Sequence, residues 1–365
     1  MNTRKSILAD GILPFDARIF DGLPDPVFAV DLDLQVVDAN QAAKNFLGDN
    51  AVGAILNDTL VSKSVLETVK MVLDGTPIPR SEVEFPSPIS RTFEMNLWRL
   101  PGLKSKGPAW VIVVLHDMTA MRRAEQMRAD FVSNVSHEMR SPLSSLLGFI
   151  ETLRGPARDD SEARERFLRI MEDEAKRMTR LINDLLTLSK VESDEHILPE
   201  GKVNLGDLLT QVANILSVRT EARNMKIMIE KLPEPTVAKG NADELVQVFQ
   251  NLIGNAISYG REGSIVRVEV AKNIVLPGAK EPRVSVAIIN QGDGIPAEEI
   301  PRLTERFYRV DKGRSRSMGG TGLGLAIVKH IVAHHRGYLE IKSTLGKDTR
   351  FTVYLPAAEA TRPAS

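Results

Sequence analysis

The sequence contains no cysteine, which excludes disulfide bonds, thiolate zinc sites and catalytic thiols. It has no long apolar run: the longest, Ala109 to Leu115, is far shorter than the ~20 residues that span a membrane. Neither charge sign is in excess, because 47 Lys and Arg stand against 48 Asp and Glu. Binders of nucleic acid usually carry a basic excess, so we expect no such partner. The first residues show no signal-peptide core, and we expect a cytoplasmic chain without a membrane segment.

The pattern of the chain changes twice along its 365 residues, which is enough length for two or three domains. We expect an α+β multidomain protein. The predicted blocks are an N-terminal lead over 1–14, a sensor-like α/β domain over 15–117, a helical domain over 118–195, an α/β sandwich over 196–357 and a tail over 358–365.

The first block has short, β-branched segments broken by Gly, Pro, Asp and Asn. Val27–Val30, Val36–Val37 and Trp110–Leu115 are typical of strands, and a short helix is predicted to end at Gly48. With no cysteine, photochemistry through a cysteinyl-flavin adduct is excluded. A small-molecule ligand and a ligand-free partner-binding role both stay open, and His116 as a haem ligand is a weaker alternative.

The second block is predicted to be a helical hairpin. Apolar residues recur at spacings of three and four along both helices, as in Met139, Leu143, Leu146, Ile150 and Leu153. Gly155-Pro156 ends the first helix, and a cap at 159–161 starts the second. A lone hairpin buries such seams poorly, so we expect a homodimer in which two hairpins form a four-helix bundle. The preceding segment, 118–130, continues the helical spacing and is a candidate signalling linker.

The third block alternates strand and helix patterns. Alternating apolar residues near 266–270, 284–288, 339–341 and 351–355 predict a mostly antiparallel sheet with one covered face. Helices are predicted over 243–259 and 322–335.

Candidate chemistry begins with His137, which lies about 200° around the helix from the seam position Met139 and is expected to face solvent. Glu138 beside it can hold the proton of one ring nitrogen and leave the other nucleophilic. Pro142 in mid-helix is expected to kink the helix. A lone exposed histidine is usually inert, but this combination suggests a positioned site.

Four further motifs lie in the third block. Asn251 and Asn255 share one helical face and could serve Mg²⁺, although a plain polar face is the alternative. Asn290–Pro296 is a tight turn after a strand, and Glu305–Arg309 leads into a basic loop over 310–318 that we expect to act as a lid. Gly319–Leu325 opens a helix with glycine-rich backbone, a typical anion site.

In this fixed order the motifs resemble those of the bacterial sensor histidine kinases, from about residue 118 to 357. His137–Leu143 resembles the phosphoacceptor box, Asn251–Ala256 the N box, Asn290–Gly294 the first glycine box, Phe307–Arg309 the F box and Gly320–Leu325 the second glycine box. The first block resembles a PAS sensor domain. The implied folds are a PAS domain, a dimeric phosphoacceptor hairpin and an ATP-binding sandwich of the GHKL type.

The resemblance implies that ATP and Mg²⁺ bind the sandwich, that His137 takes the γ-phosphoryl group with Glu138 accepting the proton, and that an aspartate of a response regulator receives it. Ser141 would orient water for dephosphorylating the regulator. The implied metal ligands are Asn255 and Asn251. The implied nucleotide-binding residues are Asn251, Asn255, Tyr259 against the adenine, Asn290, Gly292, Gly294, Arg309, Lys312, Gly320, Thr321, Gly322, Leu323 and Gly324.

Three residues depart from the family pattern. Asn290 replaces the usual Asp, and the neutral acceptor is expected to weaken adenine binding about fivefold and to relax selection against guanine. Ser258 stands where the family usually has a Lys, whose positive charge faces the phosphates. Arg309, Lys312, Arg314 or Arg316 could supply that charge instead. Ser141 stands where Thr or Asn is usual, and its hydroxyl predicts a phosphatase activity that survives at a reduced level.

The stretches Phe131–His137 and Gly148–Leu153 look most like the phosphate-regulon sensor kinases. The candidate partner-selecting residues are Ser144, Ser145, Gly148, Phe149 and Thr152. Members of that subgroup commonly carry a membrane segment, which leaves membrane association through a segment outside this chain as an alternative. A degenerate kinase acting as scaffold or phosphatase also stays open, whereas a chaperone or DNA-repair ATPase has no use for the His-Glu box.

Overall fold

A computed structural model describes residues 17–56, 63–76, 80–85, 90–100, 110–194, 197–230, 236–274, 281–311 and 320–358. The chain divides after Val132 into two compact units, called here the N-terminal unit and the C-terminal unit. Among the described residues, no helix combines the length and apolar character that a bilayer span requires.

The N-terminal unit is built on a five-stranded antiparallel sheet in the order β2-β1-β5-β4-β3. Its strands are β1 Val27–Val30, β2 Val36–Ala39, β3 Ser81–Phe85, β4 Arg91–Leu100 and β5 Trp110–Asp117. Its helices are the short 3₁₀ helix Ala17–Phe20, α1 Gln41–Leu47, α2 Lys63–Leu73 and the start of α3. The predicted strands and the helix ending at Gly48 are present.

The core of this unit is apolar and lies between the sheet and its helices. Phe28, Leu56, Phe93 and Leu115 are almost wholly buried in it. β3 and β4 alternate these inward apolar residues with outward polar ones, whereas β1 and β5 are apolar on both faces. One polar side chain, Asn40, is also fully buried. It caps α1 by accepting a hydrogen bond from the Ala43 amide.

The helical hairpin consists of α3 Thr119–Arg154 and α4 Ser161–Ser193. The two helices are separated at Gly155-Pro156, and the side chain of Asp160 accepts hydrogen bonds from two amides at the start of α4, as the sequence predicts. α3 runs unbroken through Pro142, which is buried. Both helices keep large apolar side chains exposed, including Leu143, Leu147, Ile150, Leu168, Ile182 and Leu186.

The sandwich has a second five-stranded sheet in the order β11-β12-β10-β9-β7, antiparallel except for the parallel pair β7–β9. Its strands are β7 Lys226–Ile229, β9 Ile265–Ile274, β10 Arg283–Gln291, β11 Tyr338–Ser343 and β12 Asp348–Pro356; β6 Lys202–Asn204 and β8 Val237–Lys239 form a small separate sheet. The helices are α5 Leu205–Ile215, α6 Ser217–Glu221, α7 Ala242–Tyr259 and α8 Gly324–His334, with a 3₁₀ turn at Ile300–Arg302.

Helix α7 organises the sandwich. Its apolar face, with Leu245, Phe249 and Leu252 fully buried, packs on β9 and β10, and α8 packs beside it. α8 also packs against α4 of the hairpin within the same unit. The predicted sheet and both predicted helices are therefore present, and the helices carrying the N box and the second glycine box lie side by side.

Candidate active site

His137 lies on α3 with its side chain exposed to solvent, as its position opposite the seam predicts. Ser141 is one helical turn further along and is also exposed. Residues four apart share a face of a helix, so the hydroxyl and the imidazole are presented together.

Glu138 is half-buried and lies in a network of charges that joins the hairpin to the sandwich. One of its carboxylate oxygens lies 2.7 Å from Nη2 of Arg177 on α4 and 3.5 Å from Nη2 of Arg309. Arg177 also contacts Glu174 at 3.1 Å, and Arg309 donates to the Gly320 carbonyl at 2.7 Å. The candidate proton acceptor and a predicted lid cation thus contact each other directly.

A second contact joins the hairpin to the glycine-rich segment. The hydroxyl of Thr321 donates to the carboxylate of Asp184 on α4 at 2.6 Å. Burial raises the pKa of Asp184, while the hydrogen bond from Thr321 and the charge of Arg180 act in the opposite direction. The sequence does not predict that Arg177 and Asp184 belong to the site, because each is one of many charged residues of α4. Only the fold brings them there.

The two asparagines of the N box lie on the same side of α7 and are half-buried. The amide nitrogen of Asn251 is buried and has no hydrogen-bond partner among the described residues. Gly324, at the start of α8, approaches closely: a Cβ there would lie 3.2 Å from Oδ1 of Asn251. A buried donor without a partner is costly, so it points to a ligand that accepts from it.

At each glycine box the main chain passes very close to the main chain of another segment. Gly322 has φ +77°, and a Cβ there would lie 2.9 Å from Cα of Phe307, whose amide donates to the Gly322 carbonyl. Gly294 has φ +76°, and its Cβ would lie 2.5 Å from the Thr344 carbonyl oxygen. Only glycine meets both requirements at these positions, so the turns are built for their close packing.

The remaining predicted residues lie around α7. Asn290 is buried in β10, and a Cβ on Gly292 would lie 2.7 Å from the Tyr259 carbonyl oxygen, which places the first glycine box beside the end of α7. The Tyr259 side chain is 41% exposed. Leu323 is fully buried before α8. Lys312, Arg314 and Arg316 lie outside the described residues.

Comparison with known proteins gives three family matches in chain order. The PAS domain model matches residues 17–74, the His Kinase A (phospho-acceptor) domain model matches 127–194, and the model of the histidine kinase-, DNA gyrase B- and HSP90-like ATPases matches 240–359. The chain belongs to the sensor histidine kinases.

The chain is also similar to individual kinases, and it spans less than two thirds of the length of these curated relatives. It is 37% identical over 288 residues to the phosphate regulon sensor protein PhoR of Pseudomonas aeruginosa, covering 78% of this chain and 62% of PhoR. It is 38% identical over 246 residues to the sensor protein kinase WalK of Staphylococcus epidermidis, covering 67% of this chain and 39% of WalK. The solved complex of the histidine kinase ThkA with the response regulator protein TrrA matches with a TM-score of 0.49, 21% identity and coverage of 94% of this chain and 99% of that one.

The C-terminal unit has a second polar cluster where the start of α7 meets the end of α8, and its ligand atoms are close enough to hold a metal ion. Nδ1 of His334 lies 3.0 Å from a carboxylate oxygen of Glu244, and its Nε2 lies 2.5 Å from the Ile197 carbonyl oxygen. Nδ1 of His335 lies 2.8 Å from the Ile331 carbonyl oxygen, and its Nε2 accepts from the Asn241 amide at 3.0 Å. Every ring nitrogen therefore has a protein partner, which is the arrangement of a structural hydrogen-bond network.

His116 lies at the end of β5 in the N-terminal unit. Its Nδ1 lies 2.9 Å from a carboxylate oxygen of Asp25, and this hydrogen bond raises the pKa of the imidazole.

Proposed function

We propose that the chain uses ATP to phosphorylate His137 and passes the phosphoryl group to an aspartate of a response regulator. The observation that carries the proposal is the contact of Glu138 with Arg309. It joins the residue next to the exposed histidine to the segment leading into the glycine-rich loop of the ATPase sandwich.

In the proposed reaction, one ring nitrogen of His137 attacks the γ-phosphorus of ATP, a phosphorus–nitrogen bond forms, and the bond to the bridging oxygen of ADP breaks. Glu138 accepts the proton from the other ring nitrogen. Arg177, at 2.7 Å, holds the Glu138 carboxylate in position next to His137.

We assign the nucleotide to the side of α7 that carries Asn251 and Asn255. The unpartnered amide of Asn251 and the neighbouring Asn255 would face the phosphates, and their oxygens would hold Mg²⁺, which supplies charge neutralisation at the phosphates when it is bound. Tyr259 would pack on the adenine and Asn290 would accept from its amino group. The other proposed nucleotide-binding residues are Gly292, Gly294, Arg309, Lys312, Gly320, Thr321, Gly322, Leu323 and Gly324.

A homodimer and a regulator phosphatase activity complete the proposal. The exposed apolar side chains of α3 and α4, such as Leu143 and Leu186, would be covered by the hairpin of a second chain. Ser141, exposed one turn from His137, would orient the water that dephosphorylates the regulator.

The phosphate-regulon subtype is a narrower proposal. WalK and PhoR are almost equally identical to this chain, but the match to PhoR is longer, at 288 residues against 246. Profiling phosphotransfer to a panel of receiver domains tests it: labelling of the phosphate-regulon regulator before the others is expected, and preference for another regulator would contradict the subtype while leaving the kinase proposal intact.

The alternative is a degenerate kinase acting as a scaffold or phosphatase, favoured by Asn290 and Ser258. Incubation with γ-labelled ATP and Mg²⁺ separates the two, with His137→Gln as the matched variant. The proposal predicts an acid-labile, alkali-stable label that His137→Gln loses. No label on a folded, dimeric chain would contradict kinase activity, and dephosphorylation of a phosphorylated regulator would then identify a phosphatase.

A further inference from the structure

Ser258 occupies the N-box position where the family pattern has a lysine, and the structure places another cation there. Arg219, on the short helix α6, donates a hydrogen bond from Nη2 to Oγ of Ser258 at 3.0 Å. The two residues are 39 positions apart in the sequence, so only the fold brings them together.

The guanidinium of Arg219 lies along one turn of α7. Its Nη1 lies 3.3 Å from where a Cβ on Gly254 would be, while its Nη2 reaches Ser258. At 100° per residue, Asn251, Asn255 and Ser258 fall within about 60° of one another on the helix, a set called here the asparagine stripe. Arg219 therefore lies at the edge of the stripe that carries the buried, unpartnered amide nitrogen of Asn251.

No carboxylate among the described residues forms an ion pair with Arg219, although this unit pairs many of its other arginines. Burial lowers the pKa of Arg219, and the positive charge of Arg180 on α4 lowers it further. Arg219 is exposed at the surface, and a guanidinium with no carboxylate partner, near a second cation and an unpartnered amide donor, is complementary to a multiply charged anion.

Arg223, one turn further along the chain, shows what a structural arginine looks like in the same region. It donates to the carbonyl oxygens of Ile257, Ser258 and Gly260, where α7 ends. Its donors are used by the backbone, whereas Arg219, in the part of the chain that the structure describes, makes a single hydrogen bond to one hydroxyl.

We propose that Arg219 takes over the role of the missing lysine and binds the phosphates of the nucleotide, with Ser258 as its anchor. This inference rests on the proposed function, because it assigns a residue to the nucleotide site described there. It also explains why a serine stands at position 258. The short Ser258 side chain leaves room for the guanidinium of Arg219, whereas a lysine there would repel that guanidinium.

The experiment is calorimetric titration of the full chain with ATP, ADP and adenosine in Mg²⁺. Arg219→Gln is expected to weaken ATP and ADP about 10- to 100-fold, as for the loss of charged hydrogen bonds, and to leave adenosine unchanged. Adding Ser258→Lys to Arg219→Gln returns a cation to the stripe and is expected to recover most of the ATP affinity. Arg267→Gln removes an equal charge from the exposed side of β9 and is the matched control.

The outcomes distinguish failure of the Arg219 inference from failure of the proposed function. Unchanged ATP affinity in Arg219→Gln, or an equal loss for adenosine, would overturn the inference while ATP binding by the wild type still supports the proposed function. A wild-type chain that binds no nucleotide overturns both. If Arg219→Gln does not fold, Ser258→Ala removes only the anchor: a loss of a few-fold for ATP and none for adenosine supports the inference, and no loss for either overturns it.

Discussion

Asn40 in the N-terminal unit and Asn251 in the C-terminal unit both bury an amide group, but their surroundings differ. Oδ1 of Asn40 accepts from the amides of Val27 and Ala43, and Nδ2 donates to the carbonyls of Phe20 and Asp25. These four bonds use the full capacity of the side chain. The amide nitrogen of Asn251, by contrast, has no partner among the described residues.

This difference separates a structural polar group from a binding group better than residue type does. The cluster of Glu244, His334 and His335 has the composition of a metal site, yet its ring nitrogens are all partnered. The asparagine stripe has fewer charged groups and keeps an unmet donor. Ser81 Oγ and Glu299 Oε2 are also buried without a partner among the described residues, so the unmet donor of Asn251 supports the proposed nucleotide site through its place beside Asn255 and the start of α8.

The largest expected effect on stability is that of Asn40→Ala. It removes the cap of α1 and leaves buried partners unsatisfied, which is expected to lower the free energy of unfolding by about 3 kcal/mol. Urea unfolding of the full chain measures the loss, and hydrogen exchange at the Val27 amide assigns it to the N-terminal unit. Exchange at Val27 as slow as in the wild type would contradict a structural role for Asn40.

His334→Phe is expected to lower the free energy of unfolding by about 2 kcal/mol, because the buried imidazole of His334 no longer bonds to Glu244 and to the Ile197 carbonyl. ATP affinity, measured by calorimetry well below the unfolding transition, is expected to stay within about twofold of the wild type, as for a change below 0.5 kcal/mol. A large loss of ATP affinity with unchanged stability would contradict the structural role and indicate that the cluster binds the nucleotide.

A smaller effect is expected from pH. Burial lowers the pKa of His335 from its ordinary value of 6.5; Glu244 opposes this shift and His334 adds to it. The unfolded chain then takes up a proton that the folded chain does not, so the free energy of unfolding is expected to fall as the pH drops below 6.5. His335→Gln should flatten this part of the stability curve, and an unchanged pH dependence would contradict the assignment.

The smallest stability effect is expected for Asn251→Leu. Since the amide nitrogen of Asn251 has no partner, an apolar side chain of similar volume is expected to change the free energy of unfolding by less than about 1 kcal/mol, or to raise it. Urea unfolding compares it with Asn40→Leu, the same replacement at the satisfied position. Equal losses in the two variants would remove the distinction between the two asparagines.

The sequence alone predicts most of the fold, because it depends on local patterns. Alternation over 284–288 predicts β10, Gly155-Pro156 separates α3 from α4, and the turn and short helix predicted to end at Gly48 correspond to α1, which Gly48 caps. The same patterns do not show that Asn40 is buried, because its partners at Phe20 and Asp25 precede it by 20 and 15 residues.

The candidate site is predictable where motifs are local, as in His137-Glu138 and the two glycine boxes. The contact between Glu138 and Arg309 and that between Arg219 and Ser258 depend on packing of distant segments. The sequence shows that a lysine is missing at position 258, but it does not indicate that Arg219 lies there. The basic residues that follow Phe307 and Tyr308 are the candidates that sequence position favours.

The most direct test is the thermal shift that ATP and Mg²⁺ produce in the full chain, compared between the wild type and Asn251→Leu. A ligand that binds the folded state raises its melting temperature. The proposed site predicts a clear rise for the wild type and almost none for Asn251→Leu, although the variant is about as stable without ATP. An ATP-induced shift in Asn251→Leu equal to that of the wild type would contradict the claim that the unmet amide marks the nucleotide site.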